Sequence, residues 1–106
     1  MTEKRRKGLK PRWNRKTREL RLGSALLKRF GRKAPLQELI LEAFEEQDWK
    51  KRIDDPLPGD VDIRNAHLRL RDTIKRLNHG LRDTALRFHG DGTGEAIRWE
   101  IVDGKP

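Results

Sequence analysis

Between residues 86 and 101 the chain alternates, Leu86 and Phe88 with Arg87 and His89, then Ile97, Trp99 and Ile101 with Arg98 and Glu100. A period of two sends each set to one face of a strand. The intervening Gly90-Asp91-Gly92-Thr93-Gly94 offers several positions free to take positive φ. The stretch predicts a β-hairpin with one apolar face.

Upstream, Ile63, Ala66, Leu70, Ile74 and Leu77, followed by Leu81, recur at helical spacing. The helix is expected to start after Asp60 or Asp62, either of which can cap it, and to end near His79 with Gly80 beyond. At about 100° per residue, Arg64, Arg71, Lys75 and Asn78 cluster roughly a quarter turn from that stripe. Arg69 and Arg76 lie to the other side, and Asp72 is close enough to pair with a neighbouring arginine.

Pro35 suits the first position of an earlier helix over 35–48, in which Leu36, Leu39, Ile40, Ala43 and Phe44 share one face. Its outer Glu38, Glu42, Glu45 and Glu46 would repel nucleic acid, so this helix is expected to support the fold. Trp49 and Ile53 close the core behind it. The run Asp54-Asp55-Pro56-Leu57-Pro58-Gly59-Asp60 reads as a connecting loop. Before the first helix, Glu19-Leu20-Arg21-Leu22, Gly23-Ser24 and the run from Ala25 to Phe30 read as a short hairpin, or as a brief helix over 25–30 capped by Ser24.

A chain of 106 residues suits one domain. Its formal charge is +9, and only 33% of residues are hydrophobic. The charge is unevenly placed: residues 1–34 carry 14 Lys and Arg against 2 acids, 35–60 carry 3 against 8, and 61–106 carry 9 against 7. Residues 1–12 read as a disordered basic arm, 13–103 as the domain and 104–106 as a tail. The arm cations, with Arg15 just beyond, are Arg5, Arg6, Lys7, Lys10 and Arg12, and all six suit sequence-independent contact with phosphate. With no cysteine there is neither a disulfide nor a thiolate metal site. No run is long enough for a membrane span, and no apolar core of a signal peptide follows the basic start. The expected setting is the cytoplasm, or the nucleoid if DNA is bound, with no cofactor and no membrane partner.

The order helix, connection, basic amphipathic helix and hairpin resembles the winged helix-turn-helix family, and the early hairpin looks like the leading strands of its response-regulator branch. The likeness covers about residues 18–102. It implies an α+β, winged-helix-like domain with a leading short hairpin, two or three helices and a C-terminal hairpin wing. It also implies that the helix carrying Arg64, Arg71, Lys75 and Asn78 is the recognition helix. The family has three helices, whereas an acidic proline loop lies here where the middle one belongs. A turn near residues 50–54, or a helix at 25–30, would supply it; otherwise the fold is another α+β arrangement with a basic helix.

Arg, Lys and Asn are the side chains whose donors match guanine or adenine edges in a major groove. Arg87, His89 and Arg98 face outward on the hairpin, suited to phosphates or a narrow minor groove. The same residues also fit an ordinary solvated helix face and the polar side of a strand. Most aromatic residues read as core, and Trp13, set among basic residues, is also a candidate for stacking on a base. The glycine-rich turn lacks the Lys-Ser/Thr pair and the following helix of a phosphate loop. No catalytic constellation is visible, so an enzyme is not expected. The expectation is a DNA-binding regulator or accessory factor. An RNA-binding protein and a protein-interaction adaptor are the alternatives, and a protein partner or a homodimer is compatible with any of them.

Overall fold

The computed structural model describes residues 10–59, 62–81 and 84–102. Their elements run β1 (Pro11–Asn14), β2 (Glu19–Leu22), β3 (Ala25–Arg29), α1 (Pro35–Glu46), β4 (Arg52–Asp54), α2 (Ile63–His79), β5 (Leu86–Gly90) and β6 (Ala96–Ile101). Two helices thus accompany two antiparallel three-stranded sheets, ordered β1-β2-β3 and β4-β6-β5, in an α+β arrangement.

Of the two readings open for residues 19–30, the leading hairpin is the one that forms. Gly23, at φ 61°, supplies the left-handed residue of a two-residue turn. The alternative helix over 25–30 does not form, because these residues pair with β2 through a bulge between Leu20 and Arg21. A strand not foreseen precedes them. In β1 the buried Pro11 and Trp13 alternate with the exposed Arg12 and Asn14, and Trp13 lies opposite Leu20. The body therefore begins before Trp13, and Lys10 and Arg12 are not loose arm residues. Lys10 Nζ is 3.0 Å from Asp48 and Arg12 Nη2 is 2.6 Å from Glu45. Trp13 packs edge-on against Phe30 at 5.4 Å and is 4% exposed, so it is not open to a base. Arg5, Arg6, Lys7 and the tail 104–106 lie outside the described residues.

Pro35 opens α1, where its missing N–H has no helical role. Ile40, Leu41 and Phe44 are its buried face. The outer glutamates are partly committed. Glu38 accepts from the backbone N–H of Ala34 at 3.1 Å and from Arg18 Nη2 at 2.9 Å, while Glu45 Oε1 accepts from Trp13 N at 2.8 Å and Trp49 Nε1 at 2.7 Å. At the end of α1 the chain turns through Asp48 and Trp49, both left-handed at φ 57° and 55°, a conformation uncommon away from glycine. The turn folds Trp49 back so that its ring stacks on Phe44, with centroids 5.0 Å apart. Trp99 Nε1 then donates to Lys50 O at 2.9 Å and fixes the corner to the second sheet.

No middle helix is present among the described residues. Ile53 points inward from β4, which pairs with β6, and the prolines bar helix in the segment that follows. Asp62 caps α2, accepting from Asn65 N at 2.9 Å, and Gly80 ends it. Leu70, Thr73, Ile74 and Leu77 form its buried face. Ile63, expected in that stripe, is 68% exposed, because the first turn of α2 extends past the core.

Candidate functional site

Three contacts hold α2 in place. Lys28 Nζ reaches its last turn, donating to Leu77 O at 3.2 Å and Arg76 O at 3.4 Å, where a cation meets carbonyls the helix leaves unpaired. The same ammonium donates to Gln37 Oε1 at 3.1 Å, so it joins β3 to both helices. Asn78 grips β5, and Arg69 Nη2 donates to Leu57 O in the preceding loop at 3.3 Å.

On the outer side of α2, Arg64, Arg71 and Lys75 are exposed and have no ion-pair partner among the described residues. Ideal helical geometry places them within about 40° of arc over about 16 Å of helix. Asp72 also lacks an ion-pair partner among the described residues, contrary to the expected pairing with an arginine. A cleft of about 430 Å³ separates this helix from the β5–β6 turn and is lined by His67, Leu68, Arg71, Ile74, Gly92 and Thr93. The turn comes close here: a Cβ on Gly94, which sits at φ 83°, would meet His67 Cγ at 2.7 Å. Asp91 shapes the turn by accepting from Thr93 Oγ1 at 2.6 Å, Thr93 N at 2.9 Å and Arg52 Nε at 2.7 Å. These three bonds hold its carboxyl well below the usual aspartate range.

Several expected contact residues have other work. The Asn78 side chain bonds both backbone groups of Phe88 and does not face outward as a base reader. It lies at the seam between the core face and the basic stripe, with β5 alongside. Arg87 Nη1 donates to the carbonyls of Leu81, Thr84 and Leu86 at 2.6, 3.0 and 2.7 Å, which ties it to the segment leading into β5. His89 Nε2 lies 2.7 Å from Glu100 Oε2. Of the three hairpin candidates, Arg98 alone is exposed without such a partner among the described residues.

Two residues near these groups escaped the sequence reading. Arg52 lies opposite Arg98 across β4 and β6, and His89 lies opposite Arg98 across β5 and β6, so three basic side chains form one row over the sheet. Nothing local signals that row, since it depends on pairing between distant strands. Leu68 could have been found from helical angles, because it falls outside the apolar stripe and beside the basic one. Among the described residues no cluster of His, Cys, Asp or Glu is placed to hold a metal ion, and no helix is long and apolar enough to cross a membrane.

No known protein family, curated protein or solved structure matches this chain.

Proposed function

We propose that the chain binds duplex DNA as a winged-helix-like module, with α2 entering the major groove and the β5–β6 hairpin serving as the wing. The observation that carries this reading is a contrast in charge pairing. Among the described residues, Arg12, Arg18, Arg21, Arg29 and Arg52 each sit on a carboxylate; Arg15, Arg32 and Arg76 are exposed without one, and Arg64, Arg71 and Lys75 are exposed without one and aligned on a single stripe of α2. A cationic stripe on a braced helix, left without an ion-pair partner among the described residues even though Asp72 is nearby, suits a polyanion. The major groove admits one α-helix, and arginine and lysine donors match guanine edges and phosphates.

In this reading Arg98 contacts phosphate from the hairpin. Arg15 and the arm residues Arg5, Arg6 and Lys7 add affinity by displacing counterions. The loop before α2 replaces the family's middle helix, and Lys28, Asn78 and Arg69 do the bracing that this helix would otherwise share. The role is binding and not catalysis, that of a transcriptional regulator or accessory DNA-binding factor in the cytoplasm or on the nucleoid, with no cofactor.

Fluorescence anisotropy of the full chain against labelled duplex DNA and duplex RNA of equal length, across a salt series, tests the proposal. DNA is expected to bind more tightly, and Arg71→Ala and Lys75→Ala to weaken binding with the fold intact. Each variant that no longer neutralises a phosphate should also show a salt slope shallower by about one. Unchanged affinity in both variants, or a preference for RNA, overturns the proposal.

A further inference from the structure

Leu68 is out of character with its surroundings. It is 45% exposed, and it lies one turn from Arg64 and from Arg71 and two turns from Lys75. It is not part of the buried face of α2. Leu70, Ile74 and Leu77 fill the side of α2 that faces the body, and Leu68 projects roughly 160° from Leu70 around the helix. It lines the cleft between α2 and the β5–β6 turn, beside Arg71 and Thr93. Ile63, the other strongly exposed aliphatic residue of α2, projects roughly 140° away from it, so the two do not merge into an apolar patch of the kind that receives a protein.

Resting on the DNA-binding role proposed for α2, we infer that Leu68 is a specificity-determining residue that packs against the 5-methyl group of a thymine in the major groove. The thymine methyl is the one apolar group that base edges present there. A branched aliphatic side chain at the edge of the cationic stripe, between it and Asp72, gains from meeting it and gains nothing from the polar edges of cytosine or guanine. Arg64 and Arg71, one turn to either side, hold the helix in register while Leu68 distinguishes thymine from cytosine. Burial of one methyl group corresponds to about a fourfold change in affinity.

The test starts with the full chain and a random-sequence DNA pool, from which a preferred duplex is recovered. That duplex is then remade with deoxyuridine replacing thymidine one position at a time, which removes only the methyl. Wild-type protein is expected to lose about fourfold in affinity at one position or more. Leu68→Ala is expected to bind the thymine and uracil duplexes equally, and Leu68→Met to keep the preference, both with wild-type melting temperatures. Indifference of the wild type to every methyl, or a Leu68→Ala variant that keeps the full preference, overturns the assignment of Leu68 and leaves DNA binding standing. Failure to recover any preferred duplex, with Arg71→Ala and Lys75→Ala binding like wild type, overturns the DNA reading and the role of Leu68 together.

Discussion

The side chain of Asn78 completes the hydrogen bonding of Phe88: Nδ2 donates to Phe88 O at 2.8 Å, and Phe88 N donates to Oδ1 at 2.9 Å. β5 is an edge strand, paired on its other side with β6, and Phe88 lies opposite Trp99. One amide of α2 therefore stands in for a missing neighbouring strand.

Asn78→Ala leaves both backbone groups of Phe88 without their partner. The expected loss is about 2 kcal/mol, a fall in melting temperature on the order of 10 °C. Chemical and thermal denaturation read this directly. On the DNA-binding role proposed for α2, the affinity of the fully folded variant for DNA should change little, in contrast to Arg71→Ala.

Lys28 makes a second bridge, and burial pushes its ammonium pKa below the ordinary lysine value. In the window between the lowered and ordinary values the unfolded chain binds more protons than the folded one, so stability rises with pH there. Lys28→Met should remove that alkaline rise and, at neutral pH, cost about 1–2 kcal/mol because the carbonyls of Arg76 and Leu77 go without their donor. Urea titrations of both proteins at a series of alkaline pH values would show the difference.

Asp91 acts at the opposite end of the scale. Its folded carboxyl ionises below the ordinary aspartate value, so its contribution is complete above that value and is lost as pH falls toward the folded one. Asp91→Asn is expected to be less stable at neutral pH and to show a shallower decline on acidification. Parallel acid limbs for the two proteins would exclude this role.

Gly92 and Gly94 separate backbone strain from steric collision. Both have positive φ, 97° and 83°, but a Cβ on Gly92 meets nothing within 4 Å, whereas one on Gly94 runs into the His67 ring. Gly92→Ala should cost about 1–2 kcal/mol from φ alone, and Gly94→Ala about 1–3 kcal/mol more as the turn is forced off α2. Equal losses in the two variants would mean that the turn does not rest on the helix as described.

What can be read in the sequence is local. Pro35, the Asp62 cap, Gly80, and the periodic leucines and isoleucines mark both helices within a few residues, and alternation marks the second hairpin, whereas Ala25-Leu26-Leu27-Lys28-Arg29 does not alternate and leaves the first open between hairpin and helix. β1 escapes such a reading because its four residues include a proline and sit within a run of basic residues, and β4 because its three residues are defined by a partner on β6 rather than by their own pattern. The corner at Asp48 and Trp49 uses left-handed residues that are not glycine, so composition carries no sign of it. The exposed stripe of Arg64, Arg71 and Lys75 follows from helical angles. Asn78 and Arg87 do not separate from the outward-facing candidates in sequence, because their partners are backbone groups on segments that sequence cannot place beside them.

The three tryptophans carry a practical corollary. Trp13, Trp49 and Trp99 are 4%, 1% and 3% exposed, one in the first sheet and two where α1 meets the second. Intrinsic emission therefore reports the integrity of the whole molecule without a label. The exposed face of α2 carries no tryptophan, so a ligand seated there should leave the emission untouched, and a spectral change on binding would mean that the interior itself has moved.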